Sequence, residues 1–110
     1  MSIAKQESAK EPPEYKADDG FETKMREEEN FSGSFFTEVR KYKNMNLGYI
    51  SSLTKIAAYH LEAIEREDHK SLPAKVYVRG FVKSYAKALG LDVDKTVTAY
   101  MQRYDKASKK

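Results

Sequence analysis

A chain of 110 residues with 40% hydrophobic residues, 34% charged residues and a formal net charge of +3 has room for one domain, since domains usually run to roughly 100–150 residues. The absence of cysteine excludes disulfides, thiolate metal sites and cysteine nucleophiles and suits a reducing compartment. No run approaches the roughly 20 apolar residues of a membrane helix, and no apolar signal stretch opens the chain, so a soluble, cytoplasmic domain is expected.

The charge is divided unevenly. Residues 1–30 hold five Lys/Arg against nine Asp/Glu, a net −4, while residues 31–110 hold fifteen against eight, a net +7. The acidic part carries Pro12-Pro13, Asp18-Asp19-Gly20 and Glu27-Glu28-Glu29, with almost no apolar periodicity to offset the entropy of ordering it. It reads as a disordered acidic tail over 1–30, with fleeting helix from Phe21 to Asn30. Opposite charges also allow this tail to mask basic residues of the body, over a range limited by screening.

From Phe31 onward the pattern is helical. Phe35, Phe36, Val39 and Tyr42 fall at i, i+1, i+4 and i+7 behind Ser34 as N-cap, and Asn44 stands where a left-handed residue ends a helix. Asn46 caps a second, short helix with Leu47, Ile50 and Leu53. A third runs from about Ala58 to Glu65, and the Thr54–Ala57 linker between them makes a helix-turn-helix. Ser71-Leu72-Pro73 opens a longer fourth helix, with proline in its first turn, and Gly90 closes it. Asp92 caps a fifth, whose Val97, Tyr100, Met101 and Tyr104 form one apolar stripe. The expectation is an all-α five-helix bundle over 31–105, followed by a basic tail at 106–110.

The fourth predicted helix carries three columns. Lys75, Arg79, Lys83 and Lys87 recur every four residues. Tyr77, Phe81 and Tyr85 form an aromatic column offset by two residues, about 200° round the helix. Val78, Val82 and Leu89 form an aliphatic stripe. A helix buries one broad face against a small bundle, so with the aliphatic stripe inside, part of the aromatic column is left near the boundary beside the cations. Rings flanked by Arg and Lys suit a protein interface. Tyr85 is expected in the core; Tyr77 and Phe81 stand open between core and interface. Gly80, in mid-helix, costs about 1 kcal/mol relative to alanine, which close approach by a neighbouring helix or a partner would explain.

DNA readout is the competing reading. A recognition helix places Arg, Lys, Asn or Gln against base edges, but this one begins Ala57-Ala58-Tyr59-His60 and ends among Glu62, Glu65, Glu67 and Asp68, whose carboxylates oppose a phosphate surface. Lys55 and His60 remain candidates for weak, salt-sensitive contact. Catalysis has no foothold: there is no glycine-rich phosphate loop and no nucleophile elbow, and Glu62 and Glu65 are expected in solvent. His60 and His69 are too far apart for a local metal pair. No cofactor, metal or small-molecule substrate is expected.

The stretches Phe36-Thr37-Glu38-Val39-Arg40, Leu47–Ile56, Tyr59–Glu65, Leu72–Ala86 and Leu89-Gly90-Leu91-Asp92 resemble the cytoplasmic helix-turn-helix domain of the RodZ cell-shape protein family over nearly all of 31–104. The LPAKVYVRGFVKSYAKALGLD run is the specific part. The resemblance implies an adaptor that binds the actin-like filament protein MreB through aromatics of its fourth helix, at positions matching Tyr77 and Phe81. Lys75, Arg79 and Lys83 complete the candidate partner-binding set. RodZ continues into a membrane span and a periplasmic domain that this sequence lacks. It is therefore expected to be either a soluble relative or a piece of a longer protein at the inner membrane face. The runner-up is a DNA-binding regulator of the repressor type.

Overall fold

The computed structural model describes residues 12–108. These form six α-helices and no strand: α1 Asp19–Glu27, α2 Gly33–Tyr42, α3 Leu47–Thr54, α4 Ala58–Arg66, α5 Lys75–Leu89 and α6 Val93–Ser108, with a 3₁₀ turn at His69–Ser71 between α4 and α5. The bundle thus has one helix more than the five expected.

The extra helix is α1, which overlaps the fleeting helix expected from Phe21 to Asn30 and is formed, so the reading of a disordered tail does not hold for 19–27; residues 1–11 lie outside the described residues. Asp18 caps it, its side chain accepting from the Phe21 N–H at 2.9 Å, and Asp19 and Glu22 lie in the first turn while Lys24 and Arg26 lie in the last, as the helix dipole favours. Such a short helix is marginal alone. Its stability comes from docking on α2: the Phe21 and Tyr42 rings are 4.4 Å apart, the Asp18 N–H donates to the Tyr42 hydroxyl at 2.7 Å, and that hydroxyl donates to Glu22 at 2.7 Å. Among the described residues, no hydrogen bond or ion pair joins this segment to Lys75, Arg79 or Lys83; its ion pair runs from Lys24 to Glu38.

Capping explains the other boundaries. α2 starts at Gly33 behind Ser32, whose hydroxyl accepts from Phe35, two residues ahead of the expected Ser34. It ends as expected: Asn44 is left-handed (φ 62°), and the Asn44 and Met45 N–H groups return to Lys41 and Arg40, the double bond of a Schellman motif. Asn46 caps α3 by accepting from Tyr49 at 2.7 Å. α4 has no side-chain cap at Ala57. Pro73 precedes α5 instead of sitting in its first turn. Leu72, the residue before it, is extended (φ −99°, ψ 154°), as proline requires of its neighbour, and the helix begins only at Lys75. Gly90 (φ 76°) closes α5 with bonds from Gly90 and Leu91 back to Lys87 and Ala86. Asp92 accepts from the Lys95 N–H at 3.0 Å. α6 then runs on to Ser108, so residues 106–108 are helical, not tail; 109–110 lie outside the described residues.

α5 is the central helix, touching α2, α3, α4 and α6. Val78, Val82, Tyr85 and Leu89 are fully buried, as expected of that stripe and of Tyr85. Tyr85 stacks on Phe36 (5.0 Å, 23°). Tyr100 is sealed in the same core and its hydroxyl donates to the Ile64 carbonyl at 2.9 Å, tying α6 to α4. Leu53, grouped with Leu47 and Ile50 by spacing, instead points outward.

Candidate functional site

The site is built on the outward turn of α5. Each residue advances about 100°, so a column at four-residue spacing drifts about 40° per step. The aromatic column therefore rolls from solvent into the core: Tyr77 is 61% exposed, Phe81 is half-buried and Tyr85 is sealed. Phe81 lies over the His60 ring of α4 (5.3 Å, 32°), and His60 in turn packs on Tyr59 (4.3 Å, 57°). Tyr59 is 66% exposed, and Val76, next to Tyr77, is 72% exposed. Tyr77, Phe81 and Tyr59 place a ring-rich surface along the α4 side of α5, while Val76 lines the groove toward α6.

The cations lie on the other flank. Arg79 and Lys83 are exposed and line a groove with Val93, Asp94, Val97 and Thr98 of α6, and Lys75 is ion-paired to Asp105 of α6 at 2.6 Å. The expectation that the cations sit beside the rings is corrected: the 200° offset puts the two columns on opposite sides of the helix, with Val76 and Gly80 on the crest between them. A Cβ at Gly80 would meet nothing within 4 Å, so no neighbouring helix explains this glycine.

The DNA candidates separate as well. Lys55 is the exposed left-handed residue that ends α3 (φ 63°), whereas the half-buried His60 imidazole packs between Tyr59 and Phe81. Nor do all the carboxylates of α4 point outward. Glu65, expected in solvent, has a side chain only 7% exposed. It takes a two-pronged contact from Arg40 (2.7 and 3.2 Å) and a short hydrogen bond from the Tyr85 hydroxyl. The Glu65 bond holds the Arg40 guanidinium above its ordinary value, and burial together with Glu65 pushes the Tyr85 hydroxyl far above its own. Glu67 takes Arg103 at 3.1 and 2.8 Å and the Gly33 N–H at 3.0 Å. Burial works to raise the Glu67 carboxyl, but Arg103 and the Gly33 amide outweigh it and hold it low. Two of the four acidic residues counted against DNA are thus spent inside the bundle.

Two surface residues escaped the sequence reading. Val76 was legible in principle: it stands about 200° from Val78, so both could not face the core. Tyr59 gave no such signal, because its exposure depends on how α4 seats against α5. Among the described residues no group of three or more His, Asp or Glu is placed to hold a metal ion, and no helix is long and apolar enough to cross a membrane.

Helices α3 and α4, their three-residue turn and the supporting α5 define a helix-turn-helix domain. A family model described as a helix-turn-helix domain matches residues 35–96, more than half of the chain, and the chain belongs to that family. The uncharacterized membrane protein YmfM of Bacillus subtilis (strain 168) is 44% identical to it over 50 residues, covering 46% of this chain and 17% of that protein. No solved structure matches.

Proposed function

We propose that the chain is a non-enzymatic, RodZ-like interaction module that docks a protein partner through the outward turn of α5, with an MreB-type actin-like filament as first candidate. Tyr77 carries the proposal: a large ring, 61% exposed, on a helix whose inner face is already satisfied by the core. Val76, Tyr59 and the open edge of Phe81 extend the surface. Burying a side chain of this size contributes about 1.5–3 kcal/mol, part of which is lost to ordering on association. Arg79, Lys83 and Lys75 supply the encounter charge from the neighbouring flank. The module works on the cytoplasmic side. The relative's description as a membrane protein supports a place at the inner membrane face if this chain is part of a longer one.

The family's helix-turn-helix supports a second reading, a DNA-binding regulator. It is disfavoured by Ala57 and Ala58 at the start of α4, which offer a base edge no hydrogen bond. In co-sedimentation with MreB-type filaments, Tyr77→Ala with Phe81→Ala is expected to weaken binding about 30-fold or more, and Tyr77→Ala alone to leave the melting temperature within about 2 °C. Wild-type binding by the double variant contradicts the docking surface. Tight, sequence-selective binding to duplex DNA that survives physiological salt favours the regulator, since phosphate-driven association weakens steeply over that range.

A further inference from the structure

Glycine in mid-helix is unfavourable because its unfolded state has the most freedom to lose. The fold explains two of the chain's other glycines: a Cβ at Gly33 would lie 2.2 Å from a backbone oxygen, and Gly90 has φ 76°; Gly20 and Gly48 stand in the first turns of α1 and α3, where a Cβ would meet only a side-chain oxygen of Asp18 at 3.2 Å or of Asn46 at 3.4 Å. At Gly80 neither reason applies. Its φ is not positive, and a side chain there would enter open space.

That space continues into the groove between α5 and α6, about 540 Å³, with Val76, Val93, Val97 and Thr98 along it. The α5 rim carries Arg79 and Lys83; the α6 rim carries Asp94. Lys75, one turn away, is held by Asp105, but Arg79 and Lys83 have no ion pair among the described residues.

We infer that Gly80 is where the backbone of an acidic helix of the docked partner packs against α5, its apolar side chains entering the α5–α6 groove and its carboxylates pairing with Arg79 and Lys83. The inference rests on the docking reading and adds the contact and the partner's chemistry. Helix axes ordinarily stand 8–10 Å apart, set by the side chains at the contact; a glycine on the crest allows the closest approach. Charge selects the occupant, because two unpaired cations on one rim attract carboxylates. Asp94 repels them from the other rim, which fixes which side of the incoming helix is acidic.

The test uses Gly80→Ala and Gly80→Leu in the full chain, with two probes: MreB-type filaments, and an alanine-rich helical peptide carrying glutamates at i and i+4. Both variants have room to fold, and Gly80→Ala is expected to raise the melting temperature by about 4–8 °C. In NMR titration the peptide is expected to perturb the amides of Val76, Gly80, Val93 and Thr98. Gly80→Ala should weaken both probes about three- to tenfold and Gly80→Leu more, and Arg79→Glu with Lys83→Glu should remove peptide binding. Wild-type filament affinity in Gly80→Leu, with binding lost in Tyr77→Ala, overturns the Gly80 contact and leaves the docking reading standing. If the filament does not bind the wild type but the peptide fills the groove and responds to Gly80→Leu, the named partner fails and the inference stands. Neither probe perturbing the groove overturns the inference. So does a concentration-dependent shift of the same amides without ligand, which would assign the groove to a second copy of the chain.

Discussion

Gly33 and Gly80 are both helical glycines, and they stand in opposite surroundings. Gly33 opens α2 where it crosses the C-terminal end of α4, with Glu65 and Ile64 carbonyl oxygens 2.2 and 2.5 Å from where a Cβ would be. Around it the polar groups are paired: its own N–H with Glu67, Glu67 with Arg103, Glu65 with Arg40 and Tyr85. Around Gly80 stand the exposed Val76 and Tyr77, and Arg79 and Lys83, which make no ion pair among the described residues. One region is closed by the fold and the other is left open by it. Gly33 is required by the chain's own packing; at Gly80, in mid-helix and with no such requirement, contact with another molecule is what we infer.

The largest expected effect lies on the closed side. Gly33→Ala forces backbone apart from backbone, and should destabilise the domain by about 3 kcal/mol, the upper end of overpacking costs, with an unchanged dependence on urea concentration. A loss under about 1 kcal/mol would break the contrast, since the same substitution at position 80 is expected to stabilise.

The smallest effect is a pH dependence of the closed side. His69, in the 3₁₀ turn, packs on Tyr104 (4.6 Å) and Tyr100. Burial, helped by the charge of Arg103, holds its imidazole below the ordinary 6.5 against the upward pull of Glu67 and Asp68. A folded pKa below the unfolded one means that stability is complete above about pH 6.5 and is lost as the pH falls through the folded value. Glu67, also held low, contributes stability complete above its ordinary 4.5 and lost as the pH falls through its own folded value. Urea midpoints should therefore decline slightly from about pH 7 to about pH 5 and again in stronger acid. His69→Phe, which keeps a ring against Tyr104, should remove the first decline. An equal decline in that variant would show that another group is responsible.

Five of the six helices were legible because local signals agree with the fold: Asn44, Asn46, Gly90 and Asp92 mark ends, and Val78, Val82, Tyr85 and Leu89 mark an inner face. α1 was legible only as fleeting helix from Phe21 to Asn30. Its nine residues present Phe21 and Met25 as an apolar pair too small to announce a stable helix, and Tyr42, which holds it in place, lies 20 residues beyond Glu22. Glu65 and Glu67 were misplaced for the same reason. Their partners Arg40 and Arg103 are 25 and 36 residues distant, so spacing along α4 could not show that they turn inward. At the site, helix geometry left Tyr77 open between core and interface, and the structure exposes it. The same two-residue offset also held the answer to where the cations lie, on the flank facing α6. The half-burial of Phe81 depends on His60, and how α4 seats against α5 is a matter of tertiary packing.

Amide hydrogen exchange along the whole chain, with and without MreB-type filaments, asks most directly whether the outward turn of α5 is the working face. Added protection should concentrate at Val76–Lys83 and around Tyr59, with the α2–α4 crossing at Gly33 unchanged. Protection confined to the start of α4 on adding duplex DNA, with none on α5 from the filament, would contradict it.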